Sequence, residues 1–220
     1  MSPRNDDRSE GPEEADRAEA AVEETDGAID RDAPDWDDEF VDRVGDRLFT
    51  SYDLTKNARV DGERFTLRAE LRMERYKQFF HPALSYGHHE SAEHLFVRRV
   101  DRTSVAELER LVAFGHDLAD RWIEPSEEHF STEFTFALVV ETAKIDPAVR
   151  EFVADFRDRT LLKRGYYGHY EINLVVVAPE VEELSASTNA DIADAFRFWE
   201  PDDAEREGVI GRLADRLPGR

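Results

Sequence analysis

Apolar positions recur at Trp36, Phe40, Val41, Val44 and Leu48, with acids and arginines between them, and this spacing predicts an amphipathic helix docked on a core. The period then drops to two. In "SYDLTKNARVDGERFTLRAELRM" the pair Asp61-Gly62 supplies a hairpin turn. Along the second arm Phe65, Leu67, Ala69, Leu71 and Met73 share one side, while Thr66, Arg68, Glu70, Arg72 and Glu74 share the other, as in a half-buried antiparallel strand. "HLFVRRV", from His94 to Val100, reads as a third strand, entered from a histidine-rich loop.

Ser104 with Glu107 forms a capping box, and Val105, Leu108, Leu111, Val112, Ala119 and Trp122 give the stripe of a helix ending at about Trp122. "HFSTEFTFALVVE" is a fourth strand whose end is apolar on both faces, as suits the middle of a sheet. Asp146 and Pro147 open a helix carrying Val149, Phe152, Val153, Phe156 and Leu161, with Gly165 as its stop. "HYEINLVVVA" is a fifth strand, and Asp191 to Trp199 a short amphipathic helix. The order is α-β-β-β-α-β-α-β-α. It predicts one mixed α/β (α+β) domain with a mixed sheet of about five strands and packed helices.

The expected boundaries are an acidic disordered tail over residues 1–34, a globular domain over 35–200 and a helical extension over 201–220, where Val209, Ile210, Leu213 and Leu217 recur. The tail holds twelve acids and four arginines, a net −8, and too few aliphatics to offset the entropy of ordering. The whole chain carries 51 acids against 29 bases, a formal net charge of −22, so acidity is not confined to the tail. Molar salt shortens the Debye length to about 3 Å and relieves that self-repulsion, which predicts a salt-adapted protein. Only four of the basic residues are lysines.

With no cysteine, disulfides and thiolate metal sites are excluded. The N-terminus has neither the basic nor the apolar segment of a secretory signal, no stretch is apolar enough to span a membrane, and a cytoplasmic location is expected. The charge also disfavours nucleic-acid binding, to which a local arginine patch is the exception.

Three constellations carry candidate chemistry. Four of the seven histidines, His81, His88, His89 and His94, fall within "HPALSYGHHESAEH" beside Glu90 and Glu93. Imidazole and carboxylate suit a divalent metal, yet "HESAE" has Glu93 where a helical zinc motif needs a second histidine. The bland alternative is a polar loop. In "RDRTLLKRGYYGHYEIN" four basic residues precede Tyr166 and Tyr167, and with Asn173 these are candidate ligand-binding residues. Basic side chains in a last helical turn explain the same pattern without a ligand.

The third is the fifth strand, where His169, Glu171 and Asn173 share one face. A carboxylate entering a buried strand needs partners, and Glu133 and Thr135 would meet it if the fourth and fifth strands are neighbours. His169 and Glu171 are the catalytic candidates for acid–base work. His116 reads as a packed, hydrogen-bonded histidine and His129 as a loop residue. Serine-hydrolase and phosphate-loop motifs are absent.

Taken together, "HPALSYGHHESAEHLFVRRV", "EEHFSTEFTFALVV" and "TLLKRGYYGHYEINLVVVAPE" resemble an uncharacterised family of haloarchaeal proteins, a domain of unknown function, over about residues 45–200. The resemblance implies a haloarchaeal source and a cytoplasmic location, and brings no activity. The element order is also similar to that of restriction-endonuclease-like nucleases, but each lysine has Leu54, Arg75, Thr142 or Leu161 two positions before it, so their (D/E)-x-K motif is missing. Two functions stay open. One is a non-catalytic domain binding a ligand or protein, or pairing as a homodimer, favoured because every catalytic motif lacks a member. The other is a metal-assisted or acid–base hydrolase in which the histidine-rich loop and the His169/Glu171 strand converge at one end of the sheet.

Overall fold

A carboxylate fixes where the first helix begins. Asp38 accepts from the N–H groups of Phe40 and Val41, both at 3.1 Å, capping helix α1 (Glu39–Leu48). Trp36 therefore lies before the helix rather than in it. Its indole N–H donates to the Thr66 carbonyl at 2.9 Å, and its ring lies so close over Gly45 that a Cβ there would approach within 2.7 Å. The computed structural model describes residues 34–77, 87–141 and 144–199, and of residues 75–77, 87 and 88 the backbone alone. The tail and the C-terminal extension expected from the sequence lie outside these residues, except for Pro34.

Strands β1 (Asp53–Val60) and β2 (Glu63–Lys77) meet at Asp61 and Gly62, with φ of 49° and 92°, the pair of left-handed residues that a two-residue hairpin turn requires. Strand β3 (Gly87–Val100) pairs antiparallel with β2 from Gly87 to Val97 and starts seven residues before the expected His94. Its polar first half hid it. Pairs such as Arg75 with His89 and Met73 with Ser91 extend the ladder where side-chain hydrophobicity does not announce it.

Helix α2 (Val105–Trp122) carries the chain back to β4 (His129–Val140), parallel to β3. Ser104 caps α2 by accepting from the Glu107 N–H, while the Glu107 carboxylate turns to Arg110 and Arg98. Helix α3 (Pro147–Asp155) stops ten residues before Gly165. Phe156 is extended, and Asp158–Leu161 forms β5, antiparallel to β6 (His169–Ala178), which is itself parallel to β4. The free edge of β6 wins over local helical spacing: it offers backbone pairing, and it sets Arg159 directly opposite Glu171. A second short strand, β7 (Glu183–Ala186), pairs further along the same edge. The sheet order is β1-β2-β3-β4-β6-β5 with β7 also on β6, seven strands in place of about five. Asp191–Phe196 is a 3-10 turn where a short helix was expected.

Two apolar layers flank the sheet. One buries Phe96, Phe134, Phe136, Ile172 and Leu174 under α2 and α3. The other buries Leu95, Val97, Ala137, Val139 and Val175 under α1 and the Asp191–Phe196 turn. The β1–β2 hairpin passes from one layer to the other: Leu67 and Ala69 belong to the α1 layer, but Val60 and Phe65 to the α2 layer. Asn57 marks the roll, with φ of 51° in the left-handed region that asparagine tolerates. No described helix is long and apolar enough to cross a membrane.

Candidate functional site

The register of the three parallel strands lines up Glu93 of β3, Glu133 of β4 and Glu171 of β6 in one row, with Leu95, Thr135 and Asn173 in the next. Glu133 and Thr135 thus meet Glu171 and Asn173, as adjacent strands require. Like charges in such a row repel, and the protein treats its two buried members in opposite ways. Glu171 is only 6% exposed and receives Asn189 Nδ2 at 3.1 Å, with His169 Nε2 and Arg159 Nε each at 3.4 Å. The His169 ring first, then Arg159 and Asn189, hold its carboxyl below the ordinary range. Arg159 donates to His169 Nδ1 at 3.3 Å, so the ring proton sits on Nε2, facing the carboxylate.

Glu93, 9% exposed, goes the other way: burial pushes it up, and the Asp191 charge adds to the effect. Tyr52 donates its hydroxyl to Glu93 Oε2 at 2.5 Å, and burial together with that carboxyl raises the phenol as well. Carboxyl groups driven apart in this manner are the pattern of an acid–base pair. Space decides against using them on a substrate as they stand. The cavity among Tyr52, Glu93, Thr135 and Asp191 is about 20 Å³, room for one water.

The histidine-rich stretch does reach this end of the sheet. His89 and His169 lie on either side of Phe130, with ring centroids at 5.8 and 6.1 Å from it. The expected metal set is nevertheless divided. His81 lies outside the described residues, as does the His88 side chain, and His89 and His94, five positions apart on one strand, point to opposite faces. Among the described residues no group of three or more His, Asp or Glu side chains is placed to hold a metal ion.

His94 instead forms the floor of a groove on the other face. Its ring stacks on Phe134 at 5.3 Å and meets the Trp122 edge at 5.1 Å. Burial drives it down to about 4, so the imidazole is neutral at pH 7. Its Nδ1 is buried without a hydrogen bond, 4.0 Å from Glu70 Oε2. Glu70 holds two arginines, Arg68 and Arg72, each at 2.7 Å, and the Arg68 guanidinium lies 5.2 Å from the Trp122 ring centre. Burial works to raise Glu70, but the Arg72 bond and the surrounding positive charge keep it low. Arg68 Nε, like His94 Nδ1, is buried and unpartnered. The groove measures about 650 Å³, within the range of small-molecule sites, and opens where β2, β3 and β4 run past the end of α2.

The remaining candidates scatter. Tyr166 is 84% exposed on the surface, whereas Asn173, 2% exposed, is sealed in the α1 layer and accepts from Ser187. Tyr167 gives its carbonyl to His129 Nδ1 at 2.8 Å. The exposed Tyr166 and the sealed Asn173 thus do not share one surface. The basic residues before them do not end the expected helix, since α3 stops at Asp155; Lys163 and Arg164 lie instead in a short 3-10 turn, Leu162–Gly165, with left-handed φ of 45° and 60°. His129 opens β4 rather than lying in a loop; its Nε2 accepts from Thr132 at 2.9 Å, at the groove wall. His116 is bonded to Tyr170 and Asp158 at 2.9 and 3.1 Å.

Trp122, Arg68 and Asn189 escaped the sequence reading as site residues, and Arg159, one of the basic residues before Tyr166, was not paired there with Glu171. For Arg159 a signal existed: a carboxylate inside a buried strand needs a cation, and the helical reading of residues 146–165 removed the one in register. No curated protein and no solved structure matches the chain. Residues 37–198, the stretch that contains the sheet, the groove and the glutamate row, match the profile described as Domain of unknown function (DUF8052), and the chain belongs to that family.

Proposed function

We propose that the chain is a binding domain and that the Trp122 groove takes a small, planar, polar molecule stacked on the indole. The supporting observation is the coincidence of two buried polar atoms without partners, His94 Nδ1 and Arg68 Nε, with a 36% exposed tryptophan in a groove of about 650 Å³. Buried polar groups are normally satisfied, and an orphan costs about 1–3 kcal/mol, so a ligand that bonds to both recovers that cost. Neutral His94 suits either direction of hydrogen bond, while Arg68 supplies a donor. A cytoplasmic, high-salt setting belongs to the same proposal and rests on the net charge of −22.

The hydrolase reading keeps one supporting observation, the opposed tendencies of Glu93 and Glu171, and would require the Tyr52–Glu93 cavity to open. The test is the thermal midpoint of the protein in molar KCl against a panel of nucleobases, nucleosides, aromatic amino acids and aromatic acids. The binding reading expects at least one class to raise the midpoint of the wild type and not of Trp122→Ala. Equal shifts in both proteins, or none from any compound, would sink it.

A further inference from the structure

We propose a second site, for a compact polyanion bearing phosphate or carboxylate groups, where the β1–β2 hairpin rolls between layers. An open groove of about 760 Å³ lies there, lined by Arg59, Arg64, Arg98 and Arg99, with Glu63 the only acid in its lining. Four cations and one anion leave +3 in that lining, in a chain whose net charge is −22. The reversal of sign is local and built by the fold.

Two of the four arginines are already oriented. Arg98 donates from Nε to the Arg64 carbonyl at 2.9 Å, pairs with Glu63, and reaches Glu107 at 3.5 Å. It also lies 4.8 Å from the centre of the Phe65 ring. Arg99 forms a fork on Asp38, through Nε and, at 3.0 Å, through Nη2. Asp38, Glu63 and Glu107 thus brace these two and offset part of their charge.

Arg59 and Arg64 are different. They are cross-strand partners in the hairpin, directly opposite each other, both exposed, and no described residue pairs with either. Like charges facing across a ladder cost stability. Acids outnumber bases 51 to 29 in this chain, and one acid at either position would turn the repulsion into a pair. What the unpaired arrangement provides is two guanidinium forks at the mouth of a groove whose floor cations are held in place. A guanidinium matches phosphate and carboxylate oxygens two at a time. With two free forks, an anion carrying more than one such group satisfies both. Asn57 at φ 51° and the Asp61-Gly62 turn set the hairpin geometry that brings these residues beside Arg98 and Arg99. This site shares no residue with the Trp122 groove and does not depend on that reading.

Titration calorimetry of the full chain tests it, with pyrophosphate and citrate as separate probes, at the lowest KCl that preserves the thermal midpoint, since chloride competes and salt screens. The expected result is saturable one-to-one binding of at least one probe, weakened about tenfold or more in Arg59→Gln and abolished in Arg59→Gln/Arg64→Gln. Tighter pyrophosphate identifies a phosphate site, and tighter citrate a carboxylate site. A Lys163→Gln/Arg164→Gln variant, elsewhere on the surface, keeps wild-type affinity. Without ligand, Arg59→Gln melts at or above the wild-type midpoint, because a repulsion is removed, which also shows that it folds. The proposal is overturned by absence of saturable binding for both probes, by undiminished affinity in the double variant, or by an equal loss in the Lys163/Arg164 control.

Discussion

The two faces of the sheet treat their polar side chains in contrasting ways. On the α1 face Glu93, Glu133 and Glu171 stand in a row, yet Glu171 is held by three partners and Glu93 is bonded to Tyr52; Asn173 Nδ2 in the next row is also buried without a partner, but the space beside Glu93 and Glu133 admits only one water. On the α2 face His94 and Arg68 are fewer and less conspicuous, but each keeps an unmet hydrogen-bonding atom in a groove large enough for a small molecule. Density of acids and histidines marks where a fold has had to solve an electrostatic problem. Unspent bonding capacity beside open space marks where it has room for a ligand.

The most severe way to break this contrast is Gly168→Ala. A Cβ at that position, where φ is +70°, would stand 2.1 Å from the Phe130 carbonyl oxygen, and Phe130 is the ring between His89 and His169. We expect a loss of about 3 kcal/mol or more, read from urea unfolding, because both backbone strain and a backbone clash must be relieved.

Next in size is a pH effect confined to the groove. His94 is pushed from 6.5 down to about 4, so the folded state prefers the neutral ring. Its contribution is complete above about pH 6.5 and is lost as pH falls through the folded value near 4, where the unfolded chain binds the proton first. His94→Phe, which suits the stack on Phe134, removes this component. Urea midpoints between pH 7 and pH 4 are expected to converge on, then favour, the variant by a change on the order of 3 kcal/mol. An identical pH slope in both proteins would deny that His94 is buried and neutral.

The smallest effect belongs to the opposite face. Glu93 is raised, so its burden on the folded state is absent in acid and grows as pH rises above the ordinary glutamate range. Glu93→Gln keeps an acceptor for Tyr52 and should match the wild type in acid, while gaining stability over it as pH rises to neutral, read from urea midpoints. A loss at neutral pH would mean that the carboxylate is satisfied there in the charged form.

These contrasts also explain what the sequence made legible. The hairpin at Asp61-Gly62, the Ser104 cap and the apolar β4 and β6 strands are local or periodic signals, and each appears where the spacing puts it. The polar half of β3 and the short β5 were hidden because their stability comes from ladder partners far away in the chain, not from their own side chains. The meeting of Glu133 with Glu171 was foreseeable once β4 and β6 were neighbours. The groove was not, because it exists only where α2 ends short of the strands beneath it: Trp122 reads in sequence as the last residue of an apolar stripe, and Arg68 as the solvent face of a strand.

The most direct test of the binding account is the ring-nitrogen NMR signal of His94, recorded in molar KCl with and without the pooled aromatic and nucleoside panel. The account predicts that the Nδ1 resonance of His94 moves, as an unpartnered nitrogen acquires a hydrogen bond, while the His89 and His169 signals stay in place. Movement at His169 with His94 unchanged would contradict it, and would transfer the site to the glutamate face.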